Sequence, residues 1–421
     1  MLRVAAFLFL ILCEHPTLKA WPEFSDELQA VKAVRQNYHP TEEVLSLLED
    51  FRCMVNDCVR IGLRENLTSM KSLSMKAYHQ LSAYDVPTCY RLTAISRAAG
   101  ILRNYRRELK KKRRRSARVP YVTRLSLTDC YGFRVIHRLV RLPIRKGEYT
   151  FIVLNDHTLR TVGGHTPGSL TLTANSLSIS LSKEIAEIQP VGAIGIDRNL
   201  DNVTLADSDG SILRHDLSRA TEIKARCRET KSHFKRNDVR IRRHVYGKYG
   251  GIQRNRVGWL LHNVSASIVR RAKEKRFGIV MENIRGIRKL YRKGNGQGTT
   301  YRARLNSWSF YELQRQVEYK ARWEGIPVVY VAARGTSVNC SICGSRTTTT
   351  YPNERRTLHC SKCGISIDRD VNAARNILAK GKRGMRFTPD GPPEVRTEAV
   401  KGNETTMGPI LRADGGKVTQ G

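Results

Sequence analysis

Residues 336–345 read TSVNCSICGS and residues 358–378 read LHCSKCGISIDRDVNAARNIL, with a polar loop between them. Cys340 and Cys343 form one CxxC pair and Cys360 and Cys363 another, sixteen residues apart, and each pair is followed at once by a glycine, Gly344 or Gly364. A glycine there suits a knuckle whose backbone amides turn toward sulfur. Four thiolates on two knuckles meet the tetrahedral demand of a structural Zn²⁺ site. Two disulfides or four unrelated thiols are the plainer alternatives, and the matched spacing favours zinc. Asp368 and Asp370 come next, then Val371, Ala374 and Ile377 at helical spacing. Asp370 therefore sits where a strand gives way to a helix, a place where a carboxylate can simply cap the helix.

Outside this stretch, charge is the dominant feature. The 421 residues carry 74 Lys+Arg against 38 Asp+Glu, a formal net charge of +36. Such an excess destabilises a compact chain unless a polyanion neutralises it. Nucleic acid is the expected partner, ahead of an anionic membrane surface. Of ten cysteines, Cys13, Cys53, Cys58, Cys89, Cys130 and Cys227 show no framework spacing, which suits a reducing, cytoplasmic setting. The apolar run from Val4 to Cys13 behind Arg3 has the shape of a signal peptide. It is too short to span a bilayer. With a zinc-thiolate ribbon and this charge, a buried strand or an over-long gene start is the preferred reading over export.

From Thr41 the pattern is helical. Thr41 is placed to cap, Glu42 and Glu43 fill the first turn, and Val44, Leu47, Leu48, Phe51 and Val55 share a face. A second helix is expected from Tyr90 to Leu109 with Leu92, Ile95, Ala99 and Leu102 as its buried stripe. It runs into Lys110, Lys111, Lys112, Arg113, Arg114 and Arg115. Six consecutive cations are either a solvated loop or a phosphate contact, and the global charge favours phosphate.

After Pro120 the texture becomes strand-like. Phe133 to Leu142, Tyr149 to Leu154, and the alternating runs around Leu170–Ala174 and Leu177–Leu181 predict short antiparallel strands of a small barrel, with Asn155-Asp156 as a turn. Residues 191–197, VGAIGID, read as a buried strand ending in a carboxylate, followed by a second strand, VTLA, and a tight turn. Ser218 to Lys275 is helical and basic. Ten cations, among them Lys224, Lys235, Arg236, Arg240 and Arg243, outnumber Glu222, Glu229 and Asp238 as far as Arg243. That imbalance predicts a nucleic-acid groove rather than a salt-bridged face. His262 has no partner at ligand spacing and reads as a packed or hydrogen-bonded histidine rather than a ligand. Phe277 to Ile284 is another buried strand, with Glu282 near its end. Arg292 to Arg304 reads as a mobile basic loop, Ser309 and Glu312 as a capping box, and Val328 to Val331 as the next strand. Residues 379–421 turn polar and aperiodic and read as a disordered tail.

Asp197, Glu282 and Asp370 each lie at the end of an apolar element. Burying a carboxylate there is costly unless it is paired or binds a metal. A sheet that gathered these ends would make a hard oxygen site suited to Mg²⁺ or Mn²⁺, and two such ions suit phosphodiester hydrolysis.

With these residues in view, the chain resembles the TnpB family encoded by insertion sequences, relatives of type V CRISPR effectors. The resemblance rests on GIDRNLDNVTLADSDG from Gly195, IVMENI from Ile279, WSF at Trp308, YKA at Tyr319, GIPV at Gly325, and the cysteine stretch with DVNAARNIL. It covers Val191 to Leu378. It implies an α+β multidomain fold. A RuvC-like, ribonuclease H type α/β nuclease domain would span residues 186–378, with a zinc ribbon at 336–366. A β barrel, at 119–185 with a candidate first strand within 1–40, would be interrupted by a helical recognition domain at 41–118. It also implies Asp197, Glu282 and Asp370 as catalytic acids holding Mg²⁺, and an RNA-guided DNA endonuclease whose partners are guide RNA and target DNA. Where many members carry Leu-Gly after the first acid, this chain has Arg198-Asn199. A non-catalytic DNA-binding accessory protein of transposition is the alternative. A zinc-ribbon RNA-binding protein would leave the three acids unexplained.

Overall fold

The computed structural model describes residues 28–110, 118–129, 131–284, 296, 298–349, 356–385 and 410–412. The apolar run at 4–13, Cys13, Cys130 and the cations Lys111 to Arg115 lie outside them. No helix among the described residues is long and apolar enough to cross a membrane.

The chain opens with strand β1 (Leu28–Asn37) and then inserts helices α1 (Glu42–Arg64), α2 (Met70–Ala77) and α3 (Thr88–Lys110). Thr41 caps α1, its Oγ1 accepting from the Val44 amide at 3.4 Å. On α3 the buried stripe is Tyr90, Ala94, Ile95, Ala98, Ala99 and Leu102. Leu92 was expected on that stripe but is 41% exposed, because the buried arc is centred on the side of Ala94, Ala98 and Leu102 and leaves Leu92 at its edge.

Six strands follow: β2 (Ser126–Asp129), β3 (Arg134–Ile136), β4 (Leu139–Arg145), β5 (Glu148–Val153), β6 (Thr166–Thr173) and β7 (Ser176–Ile185). They form two antiparallel sheets, ordered β1-β7-β6-β2 and β3-β4-β5. Gln36 ties the sheets together, donating to the Val153 carbonyl at 2.8 Å and accepting from the Asn155 amide at 3.0 Å. Asn155 does not make the expected turn. It caps helix α4 (Asp156–Val162), accepting from the Thr158 amide at 2.8 Å. Helices and strands of this half bury one shared core, with Phe51 and Leu102 joined to Leu127, Leu142 and Leu170.

The second half is built on a six-stranded sheet. Strands β8 (Gly192–Arg198), β9 (Asn202–Asp207) and β10 (Ile212–Asp216) make an antiparallel meander, as the hairpin pattern predicts. The basic stretch then forms α5 (Ser218–His233) and α6 (Val239–Lys275), broken at 234–238, where Asp238 caps α6. Strand β11 (Phe277–Glu282) returns parallel to β8. Helix α7 (Thr299–Asn306) occupies part of the segment expected as a mobile loop. Helix α8 (Phe310–Trp323) and strand β12 (Val328–Val331), parallel to β11, follow. The Ser309–Glu312 capping box does not form. The Ser309 hydroxyl accepts from Lys224 instead, and Glu312 pairs with Arg315 and Gln316.

A small sheet of β13 (Thr348–Thr349), β14 (Thr357–Cys360) and β15 (Ile365–Asp368) leads into helix α9 (Arg369–Lys382). The order of the main sheet is β12-β11-β8-β9-β10-β16, the last being Ile410–Arg412, parallel to β10. Thus the segment expected to be a tail contributes the end of α9 and an edge strand. Gly381 and Met385 also pack on the sheet against Val280 and Gly278.

The sheet is covered on both faces. One face buries Ile194, Ile196, Ile279 and Met281 against α6 and α8, while the other sets Ala193, Val280 and Val331 against Ile377 and Leu378 of α9. Helix α9 lies so close to β8 that a Cβ on Gly195 would stand 2.4 Å from the Ala374 carbonyl oxygen and 2.6 Å from the Leu378 amide. Both neighbours are backbone, so neither can swing aside. Gly195→Ala is expected to destabilise the protein by about 1–3 kcal/mol, read as a lowered denaturant midpoint. Gly258→Ala, where nothing lies within 4 Å, is expected to be neutral or slightly stabilising.

Candidate metal and carboxylate sites

The register of the sheet brings two acids together. Met281 of β11 is the partner of Ile196 of β8, so the next residues, Glu282 and Asp197, leave adjacent parallel strands side by side. Asp370 enters from the first turn of α9, packed over β8. Asp197 is 7% and Glu282 9% exposed, and the Asp370 side chain is 13% exposed. Burial, then the negative charges of Glu282 and Asp370, push the Asp197 carboxyl up to about 7, against the pull of a hydrogen bond from Asn199. The three sequence-predicted acids therefore share one electrostatic environment. Because the folded-state value is raised, Asp197 opposes folding once it ionises. Its contribution to stability falls as pH rises from the ordinary aspartate range to about 7, and stays unfavourable above that.

Each acid is held by a polar neighbour. Asn199 Nδ2 donates to Asp197 Oδ2 at 2.7 Å. Asn202 Nδ2 donates to Asp370 Oδ2 at 3.1 Å, and Arg214 stands 3.8 Å from the same oxygen. The Thr336 hydroxyl donates to Glu282 Oε1. Arg198, only 2% exposed, reaches behind the pocket. It donates to the Glu282 main-chain carbonyl and, through its other nitrogen, to Gln314 Oε1 at 2.8 Å and the Phe310 carbonyl at 3.3 Å. The Trp308 indole closes the rim by donating to the Asn199 carbonyl at 2.8 Å. Asn202, Arg214 and Thr336 were not singled out from sequence, and Asn199 was noted only as a departure from the family pattern. Each is an ordinary polar residue whose role depends on a partner between 2 and 168 positions away. For Asn199 the signal was its place two residues after an acid that closes an apolar strand.

Asp368 has a different job. Its Oδ1 accepts from the Asp370 amide at 2.9 Å and the Val371 amide at 3.0 Å, capping α9, and pairs with Arg214 at 2.7 Å. The capping role open to Asp370 on sequence thus belongs to Asp368, which frees the Asp370 carboxylate to face the pocket.

The second cluster is sulfur. The Sγ atoms of Cys340, Cys343, Cys360 and Cys363 lie within 4.8 Å of one another, Cys343 and Cys360 being 3.5 Å apart, and no disulfide joins them. Gly344 and Gly364 both adopt positive φ, 76° and 67°, and their amides bond to the carbonyls of Cys340 and Cys360, making two matching knuckles. Hydrogen bonds from Ser345 draw the Cys343 thiol down to about 6, while bonding to Cys343 pushes Cys363 up to about 12. Four sulfurs competing over negative charge is the donor set a divalent thiophilic ion satisfies. The ribbon is anchored to α9 by Asn372, which accepts from the Ser341 amide at 2.8 Å and donates to the Asn339 carbonyl at 2.7 Å.

Of the predicted nucleic-acid contacts, Lys110, Lys235, Arg236, Arg240 and Arg243 are exposed. Lys235 and Arg236 sit in the turn between α5 and α6 rather than on a helix. Lys224 is turned inward, donating to the Ser307 carbonyl and the Ser309 hydroxyl, and burial lowers it to about 8. His262 is exposed rather than packed, its Nδ1 lying 3.4 Å from the Tyr319 hydroxyl at the edge between α6 and α8.

Comparison with known proteins places this geometry. The TNB domain of Cas12f1-like proteins matches residues 310–377, the span from α8 through the cysteine ribbon to α9. A TnpB-like protein of Methanocaldococcus jannaschii is 30% identical over 223 residues, covering 51% of this chain and 78% of its own length. The chain belongs to the TnpB-like family. A protein named as a putative RNA-guided DNA endonuclease, from Streptomyces pristinaespiralis, is 30% identical over 45% of each chain. The CRISPR-associated endodeoxyribonuclease Cas12f1 of Sulfoacidibacillus thermotolerans is 32% identical, but over only 25% of its length. Among solved structures, a Cas12f1–guide RNA–target DNA complex has a similar α+β fold, with a TM-score of 0.55 at 15% identity over 80% of this chain and 82% of that one.

The cap predicts a separation of roles. Asp368→Ala is expected to cost about 1 kcal/mol of stability, whereas Asp370→Ala, which removes one buried like charge, is expected to cost little or to stabilise. Chemical denaturation of both variants beside the parent checks this.

Proposed function

We propose that this TnpB-like chain is an RNA-guided DNA endonuclease that hydrolyses phosphodiester bonds with divalent metal ions, on a nuclease domain of the ribonuclease H type. The observation that carries the reading is the pocket of Asp197, Glu282 and Asp370: three acids from two adjacent parallel strands and one helix, buried together at a cost that a bound cation relieves. A pure binding protein has no use for such an arrangement. The strand order, a three-stranded meander continued by two parallel strands, fits that domain type. Relatives named as putative RNA-guided DNA endonucleases supply the guide RNA and the DNA substrate of this reading.

The donor set is all carboxylate oxygen, which suits Mg²⁺ or Mn²⁺. When bound, two such ions would activate a water and stabilise the leaving oxygen of the phosphodiester. The chain's own residues hold the pocket open for them. Asn199 and Asn202 fix the rotamers of Asp197 and Asp370. Thr336 and Arg198 fix the side chain and main chain of Glu282. Arg214 binds Asp368 and keeps α9 seated. Cys340, Cys343, Cys360 and Cys363 would hold Zn²⁺ as a brace beside α9, with no part in the chemistry. Exposed cations such as Arg240 and Arg243 provide phosphate attraction that carries no sequence information. Sequence would be read by base pairing to the guide, as in RNA-guided recognition generally.

Asp197→Ala, Glu282→Ala and Asp370→Ala are each expected to abolish cleavage of a guide-matched plasmid while leaving nucleic-acid affinity near the parent's. Asp368→Ala should retain cleavage at a reduced rate. Asp370→Ala cutting normally while Asp368→Ala is inactive would overturn the assignment.

A further inference from the structure

Lys224 is a largely buried cation that the chemistry above does not use. Its ammonium donates to the Ser307 carbonyl and the Ser309 hydroxyl, which belong to the two neighbours of Trp308. A lysine taken out of water costs free energy unless its donors find acceptors, and here the chain on either side of one indole supplies them. That indole packs against Phe310, with ring centroids 5.0 Å apart, and its Nε1 donates to the Asn199 carbonyl at 2.8 Å. Trp308 is thus braced from α5 and reaches the turn between β8 and β9.

That turn, residues 199–202, works in two directions. Toward the pocket, the Asn199 side-chain amide donates to Asp197 Oδ2 at 2.7 Å and the Asn202 side-chain amide to Asp370 Oδ2 at 3.1 Å. The Asn199 main-chain N–H closes the turn on the Asn202 carbonyl at 2.9 Å, so the two asparagines move together. Away from the pocket, other elements hold the turn. The Asp201 carbonyl accepts from the Leu217 amide at 2.7 Å, and Asp201 Oδ1 accepts from the Thr221 hydroxyl at 2.8 Å. Arg304 pairs with Asp201 Oδ2 at 2.6 Å, but its side chain is 62% exposed, so solvent weakens that contact. Trp308 supplies the hold at the Asn199 end.

We propose that Trp308 is a positioning residue for the carboxylate site. It fixes the turn whose two asparagines set Asp197 and Asp370 for a divalent cation, an inference that rests on the metal-dependent nuclease reading above. Trp308 acts through the Asn199 main chain rather than on a carboxylate. Loss of a group that orients a metal ligand directly lowers affinity by about 10- to 100-fold. One link further out, a single hydrogen bond to the turn is worth about fivefold. An aromatic ring that only fills space would be replaced by Phe without effect on the ion.

The test measures Mn²⁺ affinity of the full chain, purified without added divalent metal, from the paramagnetic resonance signal of the free ion. Uptake that remains in Asp370→Ala is subtracted as binding elsewhere. Trp308→Phe keeps the ring and removes the N–H. It should bind Mn²⁺ about fivefold more weakly while melting close to the parent without metal. Asn199→Ala combined with Asn202→Ala should bind about tenfold more weakly or worse. Adding Trp308→Phe to that pair should change the affinity no further, because the turn no longer reaches the acids and residues that act in series are not additive. Trp259→Phe, at an exposed tryptophan of α6, should bind like the parent. A Trp308→Phe protein that binds Mn²⁺ as the parent does, or that loses the same factor with and without the asparagines, would overturn the proposal alone. A parent that takes up no Mn²⁺ would overturn the reading of the three acids, and the proposal with it.

Discussion

Like-charge repulsion among three buried carboxylates is the constraint around which the C-terminal half is arranged. Asp197, Glu282 and Asp370 could each relax by turning to solvent, and each is prevented from doing so. The parallel register of β8 and β11 fixes two of them side by side. The third is carried in by α9, whose approach to β8 is close enough that only glycine fits at position 195. Amide and hydroxyl groups, rather than neutralising cations, touch the carboxylates most closely: Asn199, Asn202 and Thr336 donate hydrogen bonds. The guanidinium groups stand farther off, Arg356 at 3.7 Å and Arg214 at 3.8 Å from Asp370 Oδ2, and Arg214 spends its strong contact on Asp368 instead. The negative potential is thus preserved in a chain that is otherwise positive. That is the arrangement a divalent cation needs and a purely structural pocket would avoid.

The second support is mechanical. The cysteine knuckles, Asn372 and Asp368 all bear on the start of α9, so the ribbon sets where Asp370 stands. This explains why a small cysteine module should lie in sequence directly before the last acid. It is a brace for the helix that delivers that acid.

Much of this was legible in the residues. The CxxC pairs, the apolar strands closing on Asp197 and Glu282, and the period of α9 are local signals, since spacing alone carries them. What was missed depends on distant partners. Ser309 looked like a helix cap until Lys224, 85 residues away, took its hydroxyl. Asn155 looked like a turn because asparagine serves turns and caps alike. The end of α9 was read as tail because Gly381 and Gly384 break the composition, although Gly381 is there to let the helix lie against Val280. Arg198-Asn199 looked like a departure from the family pattern. The structure makes the pair a support, one residue behind Glu282 and the other on Asp197.

The most direct test of the pocket is a melting curve near pH 8 for protein purified without added magnesium, with and without Mn²⁺, for the parent and for Asp197→Asn. At that pH Asp197 is ionised against its neighbours, so the metal-free parent carries the full repulsion. The account predicts that Mn²⁺ raises the melting temperature of the parent. It predicts that Asp197→Asn melts higher than the parent without metal, and that Mn²⁺ then moves it little. An equal response to Mn²⁺ in both proteins, or a metal-free Asp197→Asn that melts below the parent, would contradict it.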